Sequence, residues 1–137
     1  LADQWWGLET LLVRETDTGR RKSMNILQIL KIICAIGTLA TGFISLLAPR
    51  SIKGFTGLEA TGPRGITEIR AVMGALFIGL GIAPFILGSL AVYQALGIMY
   101  LAIALVRTVS MFLEKSVVQS NIISLAVEVV FGIILVL

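Results

Sequence analysis

The stretch AVMGALFIGLGIAPFILGSLAVYQALGIMYLAIALV, residues 71–106, contains no Asp, Glu, Lys or Arg. Roughly 20 apolar residues cross a bilayer core as one helix. This run is therefore too long for one span and about right for two. Pro84, Gly88 and Ser89 mark the break, because Gly and Pro interrupt regular structure most strongly. The spacing predicts a second span over residues 67–87 and a third over 90–113.

Working outward, residues 26–47 form an earlier apolar run, with Lys31 near its start and Pro49 just past its end. Residues 50–65 read as a loop rich in glycine and turn residues. Thr67 is the expected N-cap of the second span, with Glu68 in its first turn. Glu114 and Lys115 mark a short turn, and a fourth span follows over 120–137. The predicted fold is all-α: an integral membrane bundle of four transmembrane helices at 24–137, preceded by a polar N-terminal arm at 1–23. A bundle is favoured because helices satisfy their own backbone hydrogen bonds in lipid.

The bulk composition agrees. Hydrophobic residues make up 57% of the 137-residue chain and charged residues 14%, with a mean hydropathy of +0.98. A soluble domain carries about 25% charged residues. The lipid bilayer is thus the first expected partner, and the localisation is integral, multi-pass membrane. The net charge of +3 is not gathered into the basic face that nucleic acid requires, so no nucleic-acid partner is expected. There is no histidine and a single cysteine, Cys34. That set lacks the usual general base and a zinc ligand set. No catalytic residue, no metal site and no enzymatic activity are expected.

In the arm, Trp5 and Trp6 precede Arg14, Arg20, Arg21 and Lys22. Paired indoles beside basic residues suit an interfacial anchor; an arm docked on another protein is the alternative. The chain begins at Leu1, which leaves a removed leader and an internal start at Met24 both open.

Charges within spans are costly and face a bundle interior. Four stand out: Glu68, Arg70, Arg107 and Glu128. Arg107 lies roughly 9 Å from the loop end of the third span, and Glu128 roughly 12 Å into the fourth, at 1.5 Å per residue. All four fall in one membrane half, and their charges cancel. Tyr93, Gly97, Tyr100, Ala104 and Arg107 share one helical face, as do Asn121, Ser124, Glu128 and Gly132. Lys31, Ala35, Thr38, Gly42 and Ser45 form a small, polar stripe on the first span. The second span has two such faces, Glu68/Ala71/Ala75/Gly79 and Arg70/Gly74/Phe77/Gly81, and is expected to be the most crowded helix. Arg107 is expected to pair with Glu128. Glu68 and Arg70 project about 200° apart, so one joins the inner cluster and the other the loop-side surface. Tyr93, Tyr100, Asn121 and Ser124 are candidate pocket-lining residues. No cofactor is predicted, although the seam leaves room for a bound lipid, quinone or pigment.

The residues Glu68-Ile69-Arg70-Ala71-Val72-Met73-Gly74 resemble the opening of the second span in a family of small four-span bacterial membrane proteins known only as a domain of unknown function. That family has a Glu-x-Arg-Ala-x-x-Gly pattern there. The resemblance implies a basic residue in the third span and an acidic one in the fourth, the positions of Arg107 and Glu128. Ala48-Pro49 at the end of the first span also matches. Met73 departs from the pattern, which has an aromatic residue or glycine before Gly74. The likeness covers residues 24–137 and implies no activity. The leading expectation is a non-enzymatic accessory or structural subunit of a larger membrane complex, with other membrane subunits as partners. The alternative is a binder or carrier of a small hydrophobic or amphipathic molecule, a lipid or quinone, inside the bundle.

Overall fold

Pro49 bounds the first helix. The residue before a proline is pushed out of the helical region, and Ala48 has φ −126° and ψ 63°. The computed structural model describes residues 25–137. The arm at 1–23, with Trp5 and Trp6, lies outside the described residues. Helix α1 runs Ile26–Leu47, a short α2 spans Lys53–Thr56, and α3 is continuous over Gly62–Leu87. Helices α4, Leu90–Leu113, and α5, Gln119–Val136, follow. The architecture is all-α, with no strand among the described residues. α1, α3, α4 and α5 are each long and apolar enough to cross a membrane.

Helix α3 begins earlier than the sequence predicts. Pro63 sits in its first turn, where a missing N–H costs nothing and the fixed φ suits a helix. Thr67 is consequently inside the helix rather than at its N-cap, and its Oγ1 donates to the Pro63 carbonyl at 3.1 Å. The expected loop at 50–65 is correspondingly shorter and contains α2. Over Ile69–Ala75 the helix widens to a π-helical form, with the Leu76 N–H bonded to the Ala71 carbonyl five residues back. The break after α3 falls at Gly88, whose φ of +58° is favourable for a residue without Cβ. Ser89 then caps α4, its hydroxyl accepting from the Ala91 N–H at 3.2 Å. The α1–α3 and α4–α5 connections share one end of the bundle, the loop end. The α3–α4 turn marks the opposite end.

The helices pack as two hairpins, α1 with α3 and α4 with α5; contacts between the hairpins are sparser. Small residues allow the close approach. A Cβ on Gly42 would lie 2.7 Å from the Ile78 nitrogen, and one on Gly97 would lie 2.9 Å from the Gly132 carbonyl oxygen. Lys31, Ala35, Thr38, Gly42 and Ser45 form the buried stripe of α1, joined by Cys34. The expectation that the second span is most crowded is corrected: over a membrane-spanning stretch of each helix, a third of the α1 residues are buried and about a fifth of those of α3. Only the face of α3 bearing Gly74 and Gly81 packs inward, whereas Glu68, Ala71, Ala75 and Gly79 are exposed.

Between the hairpins lies a small core of Cys34, Leu96, Tyr100 and Leu135. The Tyr100 ring meets Phe131 edge-on, with centroids 5.4 Å apart at 75°. Large apolar side chains such as Ile36, Phe43, Phe85, Leu105 and Phe112 point outward along the helices. In water such a surface would be adhesive; against hydrocarbon it carries no penalty.

Candidate functional site

The 3-4 spacing that puts Tyr100, Ala104 and Arg107 on one face of α4 turns that face toward α5. Glu128 meets Arg107 there, one turn before Gly132 allows the two backbones to close up. The arginine Nε donates to both Glu128 oxygens, Oε1 at 2.9 Å and Oε2 at 2.8 Å, and Nη2 donates to Oε1 at 2.6 Å. Nη1 donates to Asn121 Oδ1 at 3.2 Å. Asn121 Nδ2 in turn donates to the Ser116 carbonyl at 2.9 Å. The chain Glu128–Arg107–Asn121–Ser116 thus ties the charge pair to the α4–α5 turn.

The pair is largely withdrawn from solvent: the Arg107 side chain is 27% exposed and that of Glu128 10%. Desolvation offsets much of the attraction in such a pair, while removing one partner strands the other charge. A guanidinium has five N–H donors in a fixed fork. Two of them, one on each terminal nitrogen, have no protein acceptor among the described residues.

Arg107 and Glu128 border a cleft of about 450 Å³ between the hairpins. All four long helices line it, and Phe55 and Thr56 of α2 close its loop end. Phe77, Phe131 and Val127 provide apolar wall; Thr41, Tyr100 and Ser124 add hydroxyls. The Tyr100 hydroxyl is hydrogen-bonded to Thr38 Oγ1 at 2.8 Å. Thr41 donates to the Gly37 carbonyl at 3.0 Å. No hydrogen bond engages the Ser124 hydroxyl among the described residues. The cleft therefore sets the Arg107–Glu128 pair and a few hydroxyls, among them Ser124, against a largely apolar lining.

The other candidate residues stand elsewhere. Asn121 backs Arg107 from the side of a shallow groove of about 610 Å³ along α4. Tyr93 lies toward the opposite end, in a hollow it shares with Lys31. Arg70 is exposed, and its Nε donates to the Leu46 carbonyl at 3.1 Å. It thereby satisfies one of the last carbonyls of α1, an end that favours positive charge. Glu68 is exposed and belongs to neither ion pair among the described residues. Neither Glu68 nor Arg70 lines the cleft. Both sit where α3 packs beside the end of α1, while Arg107 finds its counter-charge within its own hairpin.

Two residues of the interior were not singled out as site residues by sequence. Thr38 orients Tyr100, and Lys31 is 6% exposed within the α1 stripe. The signal for both was their place in that stripe. Among the described residues no three His, Cys, Asp or Glu side chains gather as a metal-binding group.

No curated protein and no solved structure matches the chain. A family model described as Domain of unknown function (DUF4345) matches residues 26–137, from the first residue of α1 through all four long helices. With most of its length and all of its helical bundle inside that match, the chain belongs to the DUF4345 family.

Proposed function

We propose that the protein is a non-enzymatic, multi-pass membrane protein that holds a small amphipathic molecule in the cleft between its two helical hairpins. The observation that carries this reading is the cleft itself. Its volume of about 450 Å³ falls in the range of small-molecule sites, roughly 300–1,000 Å³, which are mostly apolar with a few placed polar groups. Because Glu128 already neutralises Arg107, an anionic head would leave net charge in a low-dielectric site. A neutral oxygen suits it better. A carbonyl accepts from Arg107, and a hydroxyl both accepts there and donates to Glu128. Lipids and quinones offer such groups.

A second reading, an accessory or structural subunit of a larger membrane complex, draws on the groove along α4. Met99, Ala102, Ile103, Val106 and Ser110 line it at helical spacing, a surface suited to a transmembrane helix of another subunit. Purification of the full chain in mild detergent, followed by native mass spectrometry, separates the two. A single chain carrying a neutral organic adduct supports the cleft reading. Co-migration with larger membrane proteins and no adduct supports the subunit reading.

A further inference from the structure

A second polar hollow, of about 310 Å³, lies at the opposite end of the bundle from the loops. Asn25, Gln28 and Lys31 of α1 line it, facing Gly88, Leu90 and Tyr93 across the α3–α4 turn. Lys31 is the notable member. Only 6% of it is exposed, and neither ion pair among the described residues includes it. No hydrogen bond from its ammonium is formed within those residues either. No side-chain nitrogen or oxygen there is both sealed off and without a partner. The ammonium therefore has an opening, and the hollow that Lys31 lines provides it.

The surroundings favour an anion. The acidic residues of the described chain, Glu59, Glu68, Glu114 and Glu128, all stand at the loop end or in the loop-side half. None is available to Lys31 from the helices. Gln28 and Tyr93 add an amide and a phenol, both donors. The hollow is also bordered by the first turn of α1 and by the start of α4, whose leading N–H groups carry partial positive charge. The C-terminal carbonyls of α3 beside Gly88 oppose this with partial negative charge, but the one full charge lining the hollow is the Lys31 ammonium.

We infer that this hollow binds the phosphate of an anionic phospholipid. Lys31 is about 8 Å along α1 from Ile26, at 1.5 Å per residue. That depth lies just inside the boundary of an apolar span, within reach of a headgroup through the four-carbon stem of lysine. Leu27 and Leu90 at the rim present apolar surface to the acyl chains. The lysine supplies the counter-charge, and the phosphate supplies the anion that Lys31 lacks among the described residues.

The test uses the full chain in nanodiscs of phosphatidylcholine doped with phosphatidylglycerol, with retained lipid counted by native mass spectrometry. Wild type is expected to keep one phosphatidylglycerol. Lys31→Gln is expected to lower its retention about tenfold, a loss of about 1.4 kcal/mol, while Lys31→Arg keeps it. Lys53→Gln, at an exposed loop-end lysine, should leave retention unchanged. In pure phosphatidylcholine, Lys31→Gln is expected to melt no lower than wild type, since it removes a charge that has no partner among the described residues. Tyr93→Phe with Gln28→Ala gives a second route, lowering retention while leaving the α1 stripe intact. Equal retention by wild type and Lys31→Gln would overturn the inference. So would displacement of the lipid by inorganic phosphate, which would identify a free-anion site instead.

Discussion

Thr38 of α1 and Tyr100 of α4 form, among the described residues, the side-chain hydrogen bond that joins the two hairpins, 2.8 Å between hydroxyl oxygens. Both residues are buried, and Thr38 Oγ1 also donates back to the Cys34 carbonyl at 2.9 Å. The Tyr100 phenol is then the donor across the seam. The same ring packs on Phe131 and borders the cleft. One residue thus couples hairpin docking to the shape of the candidate site.

Tyr100→Phe keeps the ring and removes the bond. Interhelical hydrogen bonds in membranes average about 0.6 kcal/mol and reach about 1.7, so a loss in that range is expected. Tyr100→Ala also removes the aromatic contact and leaves a cavity, for a loss of about 3–5 kcal/mol. Unfolding by denaturing detergent in mixed micelles measures both. Equal losses would mean that the ring contact carries nothing.

The Arg107–Glu128 pair predicts strong non-additivity. Either Arg107→Gln or Glu128→Gln strands a charge and is expected to cost about 3 kcal/mol or more. The double variant removes both charges and should fall well short of the sum of the singles. A double-mutant cycle from the same unfolding titrations gives the coupling; additive losses would place the two side chains apart.

Two glycines with the same helical backbone should respond with opposite sign. Gly42→Ala places a Cβ 2.7 Å from the Ile78 backbone nitrogen, and overpacking of this kind costs about 1–3 kcal/mol. Gly79 has nothing within 4 Å of its Cβ position. Gly79→Ala is expected to stabilise by up to about 1 kcal/mol through helix propensity alone. Melting temperatures of the two variants decide it.

Arg70 and Glu68 should prove unequal despite standing two residues apart. Arg70→Ala loses the bond to the Leu46 carbonyl and is expected to cost about 1 kcal/mol. Glu68→Gln changes an exposed side chain and should stay within about 0.5 kcal/mol of wild type. A larger effect of Glu68→Gln would tie that carboxylate to a partner outside the helices described.

The boundaries of α1 and α4 were legible because Pro49 and Gly88-Ser89 punctuate the chain with strong local chemistry. The start of α3 was not. Gly62 and Pro63 read as loop residues, yet proline in a first turn is equally a helix opener, and only packing decides between the two. The π-helical turn at Ile69–Ala75 leaves no trace in a 3.6-residue periodicity, since it is a one-residue adjustment to neighbours. It also sits on the segment around Arg70 and Gly74, where the sequence could not tell which face of α3 packs inward. The meeting of Arg107 with Glu128 followed from stripes of small and polar residues on two adjacent helices. Lys31 was legible as a member of the α1 stripe, but the hollow it shares with Gly88 and Tyr93 was not, because it forms between residues far apart in sequence.

The ligand proposed for the cleft bordered by Arg107, Ser124 and Glu128 is a neutral amphipathic molecule. The most direct measurement is native mass spectrometry of the purified full chain with added diacylglycerol or decylubiquinone, compared with Ser124→Leu, which projects a bulky apolar side chain into the cleft and removes the Ser124 hydroxyl. One bound molecule of at least one probe is expected per wild-type chain, and at least about a tenfold weaker complex, 1.4 kcal/mol, for the variant. No complex with either probe, or equal binding by wild type and Ser124→Leu, would contradict it.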